Sequence, residues 1–321
     1  MRKHSRITWS ICFAMMNVHV SVVSCQIYPS KPIRIITGSV GGGQEFATRI
    51  IAQGISGALG QPVITDPRGV SVAISGDFVA RAPADGYTLL LVGNNLWIGP
   101  LLEKLPYDPV RDFAPITMVA STPNILVVHP SLPVKTVQEL IDFAKTRPGE
   151  LNYGSSGFGT STHLAGELFK AMAGVNIVRI PYKGGGPSLN ALISGEVQIW
   201  FPNAAAVTQH LKSGKLRALA VTSSRPTELA PGLPTVAASG LPGYESVLII
   251  GVLAPATTPV AIIERLNHEI VGLLNRADVK RKLFDSGAEV VGSSPEQFAG
   301  AIKSEMARLA KVIKDAGIHE D

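Results

Sequence analysis

Short runs of β-branched and aliphatic residues alternate along this chain with longer segments of helical periodicity. The run PIRIIT at 32–37 predicts a strand, and apolar residues spaced by three and four over 45–59 predict a helix. The run YTLLLV at 87–92 is nearly all apolar, which is typical of a strand buried on both faces. This alternation indicates βαβ units, so we predict an α/β fold with largely parallel sheet.

Most other elements show the same two patterns. Further strands are predicted at 63–65, 125–128, 175–180, 197–201 and 216–222. Further helices are predicted at 73–81, 136–146, 164–172, 188–194, 262–274 and 298–313. Capping boxes at Thr136–Glu139 and Ser294–Gln297 mark the starts of two of these helices.

The first 25 residues have the composition of a secretory signal. Residues 1–6 are basic, residues 7–23 are mostly apolar, and Val-Val-Ser-Cys closes the segment at Cys25. We therefore expect export to the periplasm, either with ordinary cleavage near Cys25 or with a lipid on that cysteine. The other cysteine, Cys12, also lies in the leader, so no disulfide framework or cysteine-based zinc site is expected in the body.

The body has the size and balance of a globular protein. Its nearly 300 residues suit two domains of about 150 residues or one large domain. The 45% apolar and 17% charged residues exclude a disordered chain. The net charge of +5 owes three charges to Arg2, Lys3 and Arg6, which leaves +2 for the body. There is no basic run of the kind that binds nucleic acid.

Four turns share one design, in which a strand leads through a Gly- or Ser-rich turn into a helix. They occupy residues 38–45, 69–73, 154–162 and 183–187. Helix N-termini present unpaired N–H groups and partial positive charge, and they bind anions. Converging turns of this kind would hold a small carboxylate or phosphate, with hydroxyl donors from the 155–162 segment. The alternative is that they are ordinary tight connections between strands and helices.

Other chemistries have weaker support. The chain contains no phosphate-binding G-x-x-x-x-G-K-[ST], no ordered G-x-G-x-x-G and no G-x-S-x-G nucleophile elbow. His163 and Glu167 are one helical turn apart and could share a metal, but a structural or capping role for His163 is favoured. The Trp200 side chain could line a ligand pocket or pack in the hydrophobic core.

Several short strings, in a fixed order, carry a family resemblance across the body of the chain. They are YPSKPIR from residue 28, ADGYTL from 84, LPYDP from 105, LNYGSSGFGTSTHL from 151, IPYKG from 180, LRALAVT from 216, LPTV from 233 and GLPGYE from 240. With them the chain resembles the Bug-type extracytoplasmic solute receptors, which are the substrate-binding proteins of tripartite tricarboxylate transporters.

The resemblance implies two Rossmann-like lobes in the type II periplasmic binding protein, or Venus flytrap, architecture. A discontinuous first lobe would combine residues 26–125 and 247–321, and a second lobe would comprise 126–246. The hinge would lie near 124–128 and 247–253. Such a receptor captures a small organic acid between its lobes and delivers it to membrane permease subunits. We expect no enzyme activity, no cofactor and no metal, and a monomer that contacts the membrane only through a lipid on Cys25.

In the family, the loop after the first strand and the Ser/Gly/Thr loop of the second lobe hold the ligand carboxylate. With the neighbouring turns, the expected ligand-binding residues are Ser39, Val40, Gly41, Gly42, Gln44, Glu45, Ser71, Ser155, Ser156, Gly159, Thr160, Ser161, His163, Tyr182, Lys183, Pro202 and Asn203.

Three departures from the family pattern change the expected pocket. The first loop lacks its two usual prolines and has Glu45 where Asp is usual. The second loop has Val70 and Val72 where glycine or alanine is usual, and Pro202 stands where Asp is frequent. A larger, aromatic or less acidic ligand is therefore an open alternative. Two other functions also remain open, a ligand-sensing partner of a signalling receptor and a secreted α/β hydrolase.

Overall fold

The computed structural model describes residues 28–38, 43–68 and 72–316, with the side chains of residues 43, 315 and 316 excepted. The proposed signal peptide, residues 39–42 and Ser71 lie outside the described residues. The described strands are β1 Ile33–Thr37, β2 Val63–Pro67, β3 Thr88–Gly93, β4 Phe113–Pro123, β5 Ile125–Val128, β6 Asn152–Ser155, β7 Val178–Pro181, β8 Ile199–Trp200, β9 Arg217–Val221, β10 Val247–Pro255 and β11 Glu289–Val290.

The described helices are α1 Gly43–Leu59, α2 Val72–Ala80, α3 Asn95–Ile98, α4 Val137–Lys145, α5 Ser161–Ala173, α6 Gly185–Ser194, α7 Ala204–Lys212, α8 Val260–Leu274, α9 Ala277–Asp285 and α10 Pro295–Ala316. Short 3-10 turns occur at Gly99–Leu101 and Ala237–Ser239. None of these helices is both long enough and apolar enough to cross a bilayer.

The strands form two sheets. A six-stranded sheet has the order β11-β4-β10-β3-β1-β2, and a five-stranded sheet has the order β7-β6-β8-β5-β9. Strand β1 is parallel to β2 and β3, and β6 is parallel to β7 and β8. Strand β10 is antiparallel to β3 and β4, and β5 is antiparallel to β8 and β9. We call the six-stranded sheet with its helices lobe one, and the five-stranded sheet with its helices lobe two. The α/β prediction is confirmed.

Helices cover both faces of each sheet, which explains the apolar strands. In lobe one, α1, α8 and α9 pack on one face, and α2, α3 and α10 pack on the other. In lobe two, α4 and α5 pack on one face, and α6 and α7 on the other. All six residues of β3 are buried, as its apolar run predicts. Burial of these strands on both faces supplies the main hydrophobic stabilisation.

Helix α10 contacts both lobes. Leu309 and Ile313 join Leu164 of α5 in the core of lobe one, whereas Val312 packs against the core of lobe two. The last helix therefore packs across the boundary between the lobes, on the side where α3 and α5 also lie.

Candidate functional site

The carboxyl ends of the two sheets face each other across a cleft. Strand β4 ends at Pro123 and β5 begins at Ile125, so the chain passes from lobe one to lobe two at Asn124. It returns through Ser246 into β10. Strand β5 begins at this crossing and is antiparallel to β8, so β8 ends there. Strands β6 and β7 run parallel to β8, so their carboxyl ends lie at the crossing as well. Ligands of open α/β sheets bind at such strand ends.

Buried Thr222 joins the two crossing segments. Its Oγ1 accepts a hydrogen bond from the Asn124 amide at 2.8 Å and lies 2.6 Å from the Ser246 carbonyl oxygen, to which it donates. The Ser246 amide donates in turn to the Thr222 carbonyl at 2.9 Å. One side chain thus satisfies backbone groups of both connections.

We expect Thr222→Val to lower the free energy of unfolding by about 1–3 kcal/mol, because the isosteric valine removes both hydrogen bonds and leaves the buried N–H of Asn124 without a partner. Urea unfolding measures the change. Thr257→Val is the matched control, because Thr257 is exposed in the loop before α8. An equal, small effect of both variants would contradict the role assigned to Thr222.

A cavity of about 340 Å³ lies in the cleft. Its described polar lining is supplied by neutral side chains, namely Gln44, Ser75, Asn95, Thr122, Asn203 and Ser286. No described lining residue carries a charge. Three helices of nine or more residues begin at this cavity: α1 with Gln44 in its first turn, α2 with Val72, and α7, which Asn203 caps by accepting from the Ala206 amide at 2.9 Å. The cavity therefore presents helix N-termini and amide or hydroxyl groups, which suit an anion.

Side chains pack closely against Gly93, where β3 ends at this cavity. A Cβ atom at Gly93 would lie 2.7 Å from Gln44 Nε2 and 3.0 Å from Leu248 Cδ1. The adjacent residue of α1, Glu45, is buried and forms an ion pair with Arg49. The predicted site residue Gln44 thus lies in the cavity wall, whereas Glu45 points to its own helix.

The lobe-two loop at 155–161 is held by its own side chains. Thr160 Oγ1 caps α5 and donates to the Gly157 carbonyl at 2.9 Å. Thr162 Oγ1 accepts from the Ser156 amide at 2.9 Å. Nδ1 of buried His163 accepts from the Gly159 amide at 3.0 Å. Thr160 and His163, both predicted to contact ligand, here hold the loop in shape.

Burial, followed by the positive charge of Arg179, lowers the pKa of His163 to about 4. Its ring is therefore neutral near pH 7, which leaves Nδ1 free to accept from Gly159. The carboxylate of Glu167 accepts a hydrogen bond from the Tyr153 hydroxyl at 2.5 Å and forms an ion pair with Lys170 at 2.9 Å. Among the described residues no three metal-ligating side chains form a cluster.

The other predicted residues of lobe two have different environments. Ser155 is buried and its Oγ accepts from Arg179 Nε at 2.9 Å. The hydroxyls of Ser156 and Ser161 are half-buried and have no partner within the described protein, so they are open to a ligand. Tyr182 donates to Glu196 at 2.7 Å, and burial together with that carboxylate raises its pKa to about 12.

The remaining predicted positions of lobe two lie at the ends of β7 and β8. Lys183 is exposed in the turn before α6. Pro202 is buried at the end of β8, beside Asn203, and its carbonyl accepts from the Ile125 amide at 2.7 Å. Trp200 packs in the core of lobe two.

The lobes touch on both sides of the cleft. A Cβ atom at Gly159 would lie 3.2 Å from Leu102 Cδ1, and one at Gly287 would lie 3.2 Å from Ala205 Cβ. The first contact joins the 155–161 loop to lobe one, and the second joins α7 to the end of α9. The cavity is lined by residues of lobe one and by Asn203 of lobe two, and the lobes touch beside it, which is the arrangement of a two-lobed solute-binding protein.

The comparisons with known proteins agree with this class. A sequence model described as the tripartite tricarboxylate transporter family receptor matches residues 47–318. The chain belongs to this family and is a solute receptor. It is 37% identical over 300 residues to the protein BugT of Bordetella pertussis. The aligned region covers 92% of this chain and 92% of BugT.

Two solved structures are also similar. Rpa4515 of R. palustris, determined with adipate, is 38% identical with a TM-score of 0.76, covering 90% of this chain and 98% of that one. MatC of Rhodopseudomonas palustris, determined with bound malate, is 27% identical with a TM-score of 0.72, covering 89% of this chain and 100% of that one. The two-lobed fold expected from the resemblance is confirmed.

Sequence reasoning missed part of the site. Asn95, Thr122 and Ser286 line the cavity, and Ser286 ends a helix that no turn signal connected to the cleft. Arg179, whose Nε donates a hydrogen bond to Ser155, was missed because a single basic residue in a short strand indicates a solvent-exposed sheet edge. Asn95 alone had a usable signal, since it follows an apolar strand in the same way as the other loops.

Proposed function

We propose that this protein is a periplasmic receptor that captures a small organic acid in its cleft and delivers it to the membrane permease of a tripartite transporter. The observation that carries the proposal is the neutral cavity at which three helices begin. Such a cavity binds a carboxylate through backbone N–H groups and amide or hydroxyl donors rather than through a cation. The adipate and malate in the two similar structures support an aliphatic acid.

The proposed ligand contacts come from both lobes. Gln44, Asn95 and Asn203 would bind one carboxylate together with the predicted residues 39–42 and Ser71, which lie outside the described residues. The free hydroxyls of Ser156 and Ser161 would bind from lobe two. The remaining expectations also belong to the proposal: export by a signal peptide, a lipid on Cys25 as an alternative to ordinary cleavage, and a monomeric receptor.

We propose that the lobes close about a hinge at 124–128 and 247–253. The contacts of Thr222 with Asn124 and Ser246 support this placement, because they couple both crossing segments at one point. No catalytic role is proposed. The Ser155 hydroxyl accepts a hydrogen bond from Arg179, which cannot act as a base toward it. His163 Nδ1 already accepts a hydrogen bond from the Gly159 amide.

Thermal unfolding of the purified protein with adipate, malate, succinate, citrate and benzoate tests the function. A ligand that binds only the folded state, present at 100 times its Kd, raises the free energy of unfolding by about 2.7 kcal/mol, which for a chain of this length raises Tm by roughly 4 °C. We expect such a shift with at least one aliphatic acid and none with its diamide. The absence of any shift, together with no heat of binding by calorimetry, would contradict the proposal.

A matched pair of variants tests the site itself. Gln44→Ala removes one donor from the cavity wall and should weaken acid binding about tenfold. Gln209→Ala is the control, because Gln209 is exposed near the far end of α7. If the two variants bind alike, the ligand does not contact Gln44.

A further inference from the structure

The strands that cross between the lobes separate two cavities. Along β10, alternate residues point to opposite faces of the sheet. Leu248 and Ile250 line the ligand cavity on the face that packs against α1, α8 and α9. Val247 and Ile249 line a second cavity, of about 390 Å³, on the face that packs against α10. The proposed hinge therefore has one cavity on each side.

A hydrogen bond joins the two lobes on the α10 side of these strands. Thr227 Oγ1 donates to Glu289 Oε1 at 2.5 Å. Thr227 follows β9 in a segment whose Leu229 and Leu233 pack in the core of lobe two. Glu289 lies in β11 of lobe one, pairs with Ser121 and lines the second cavity. The bond therefore connects the lobes on the face opposite to the ligand cavity.

The ligand cavity is almost wholly a feature of lobe one. Among its described lining residues only Asn203 belongs to lobe two. Ser156 and Ser161, which are proposed to bind the acid, do not line it, so the lobes must approach each other before both lobes contact one ligand. A rotation about the hinge that narrows the gap on one face of the crossing strands widens it on the other. Closure on a ligand therefore draws Thr227 away from Glu289.

The bond can break without leaving a buried charge unpaired. Glu289 is half-buried beside the second cavity. The described lining of that cavity includes five charged side chains, namely Arg225, Glu245, Glu289, Glu305 and Arg308. A cavity of this polarity admits water, which replaces the Thr227 hydroxyl as donor to the carboxylate when the lobes move. A direct bond to a charged group is stronger than a neutral one, so it favours the arrangement in which it forms.

We propose that the hydrogen bond between Thr227 and Glu289 opposes closure of the lobes and thereby lowers the affinity of the receptor for its acid. This inference rests on the proposed function and on the proposed hinge. When only a fraction of the molecules can close, the apparent Kd rises by the reciprocal of that fraction. Two residues outside the ligand cavity thus set the affinity, and the bond assists release of the acid because it reforms as the lobes open.

Calorimetry with adipate and with malate on the wild type, Thr227→Val and Glu289→Ala tests the inference. We expect each variant to bind the acid about tenfold more tightly than the wild type, because each removes the same bond and neither residue lines the ligand cavity. The double variant should bind no more than about twofold more tightly than either single variant, since the bond is lost only once. Small-angle X-ray scattering of the ligand-free variants should give a smaller radius of gyration, because more molecules are closed.

Thr146→Val is the matched control, because exposed Thr146 donates to the Phe143 carbonyl within lobe two. It should change neither the affinity nor the radius of gyration. Thr227→Val also removes the bond from the Leu229 amide, which Glu289→Ala leaves in place, so agreement between the two variants isolates the bond between the lobes.

An affinity that fails to rise in either single variant would overturn the inference, as would additive effects in the double variant. If the wild type binds neither acid, the proposed function fails for these acids, and scattering still decides the inference. A radius of gyration equal to that of the wild type in Thr227→Val and Glu289→Ala would then overturn it.

Discussion

Phe298→Ala is expected to lower the free energy of unfolding by about 3–5 kcal/mol. Phe298 is fully buried in α10, where its ring contacts Trp97 edge to face with 5.7 Å between centroids. Gly251 of β10 leaves the space for this ring, since a Cβ there would overlap it. Truncation would leave a cavity between α10 and the sheet that the rigid strand cannot fill.

The stability lost in Phe298→Ala should exceed that of a single contact, because α10 packs against both lobes. Beside Phe298, buried Glu305 of the same helix accepts from Trp97 Nε1 and Asn94 Nδ2, both at 2.8 Å. Equilibrium unfolding in guanidinium chloride measures the change in the free energy of unfolding. Phe284→Ala is the matched control at a side chain that is 37% exposed, and it should cost about 1 kcal/mol or less. A Phe298→Ala effect no larger than the control would show that α10 is not anchored as described.

Lowering the pH from 7 to 4 should destabilise the wild-type protein by about 3 kcal/mol more than the His163→Asn variant. The pKa of His163 is about 4 in the folded protein against 6.5 for the free side chain, because the ring is buried and lies near Arg179. The unfolded chain therefore binds a proton first as the pH falls. The stabilisation is complete above pH 6.5 and is lost progressively down to about pH 4.

Asparagine is the informative substitution because its Oδ1 can accept from Gly159, as Nδ1 does, without titrating. Other groups also contribute to the pH dependence, among them Glu305, whose pKa is raised by burial and whose contribution has the opposite sign. They are common to both proteins, so the difference between the two pH profiles isolates His163. Parallel profiles from urea unfolding between pH 4 and 7 would contradict the assigned environment.

Elements with a strong local signal were predicted closely. Strand β5 occupies the predicted residues 125–128, and α1 begins two residues before its predicted start. The reciprocal bonds between Ser294 and Gln297, at 3.0 and 3.2 Å, form the expected capping box. Periodicity, apolar runs and caps depend on neighbouring residues, so the sequence alone determines them.

Elements that depend on distant partners were predicted poorly. Helices α7 and α9 were missed, and the strand expected from Val175 begins only at Val178, because the register with β6 decides which residues pair. The α/β class, the anion-binding turns and the family resemblance followed from the sequence by itself. The pairing of strands, the cavity residues from α9 and the bond between Thr227 and Glu289 did not, because contacts across tens or hundreds of residues are formed only when the lobes pack.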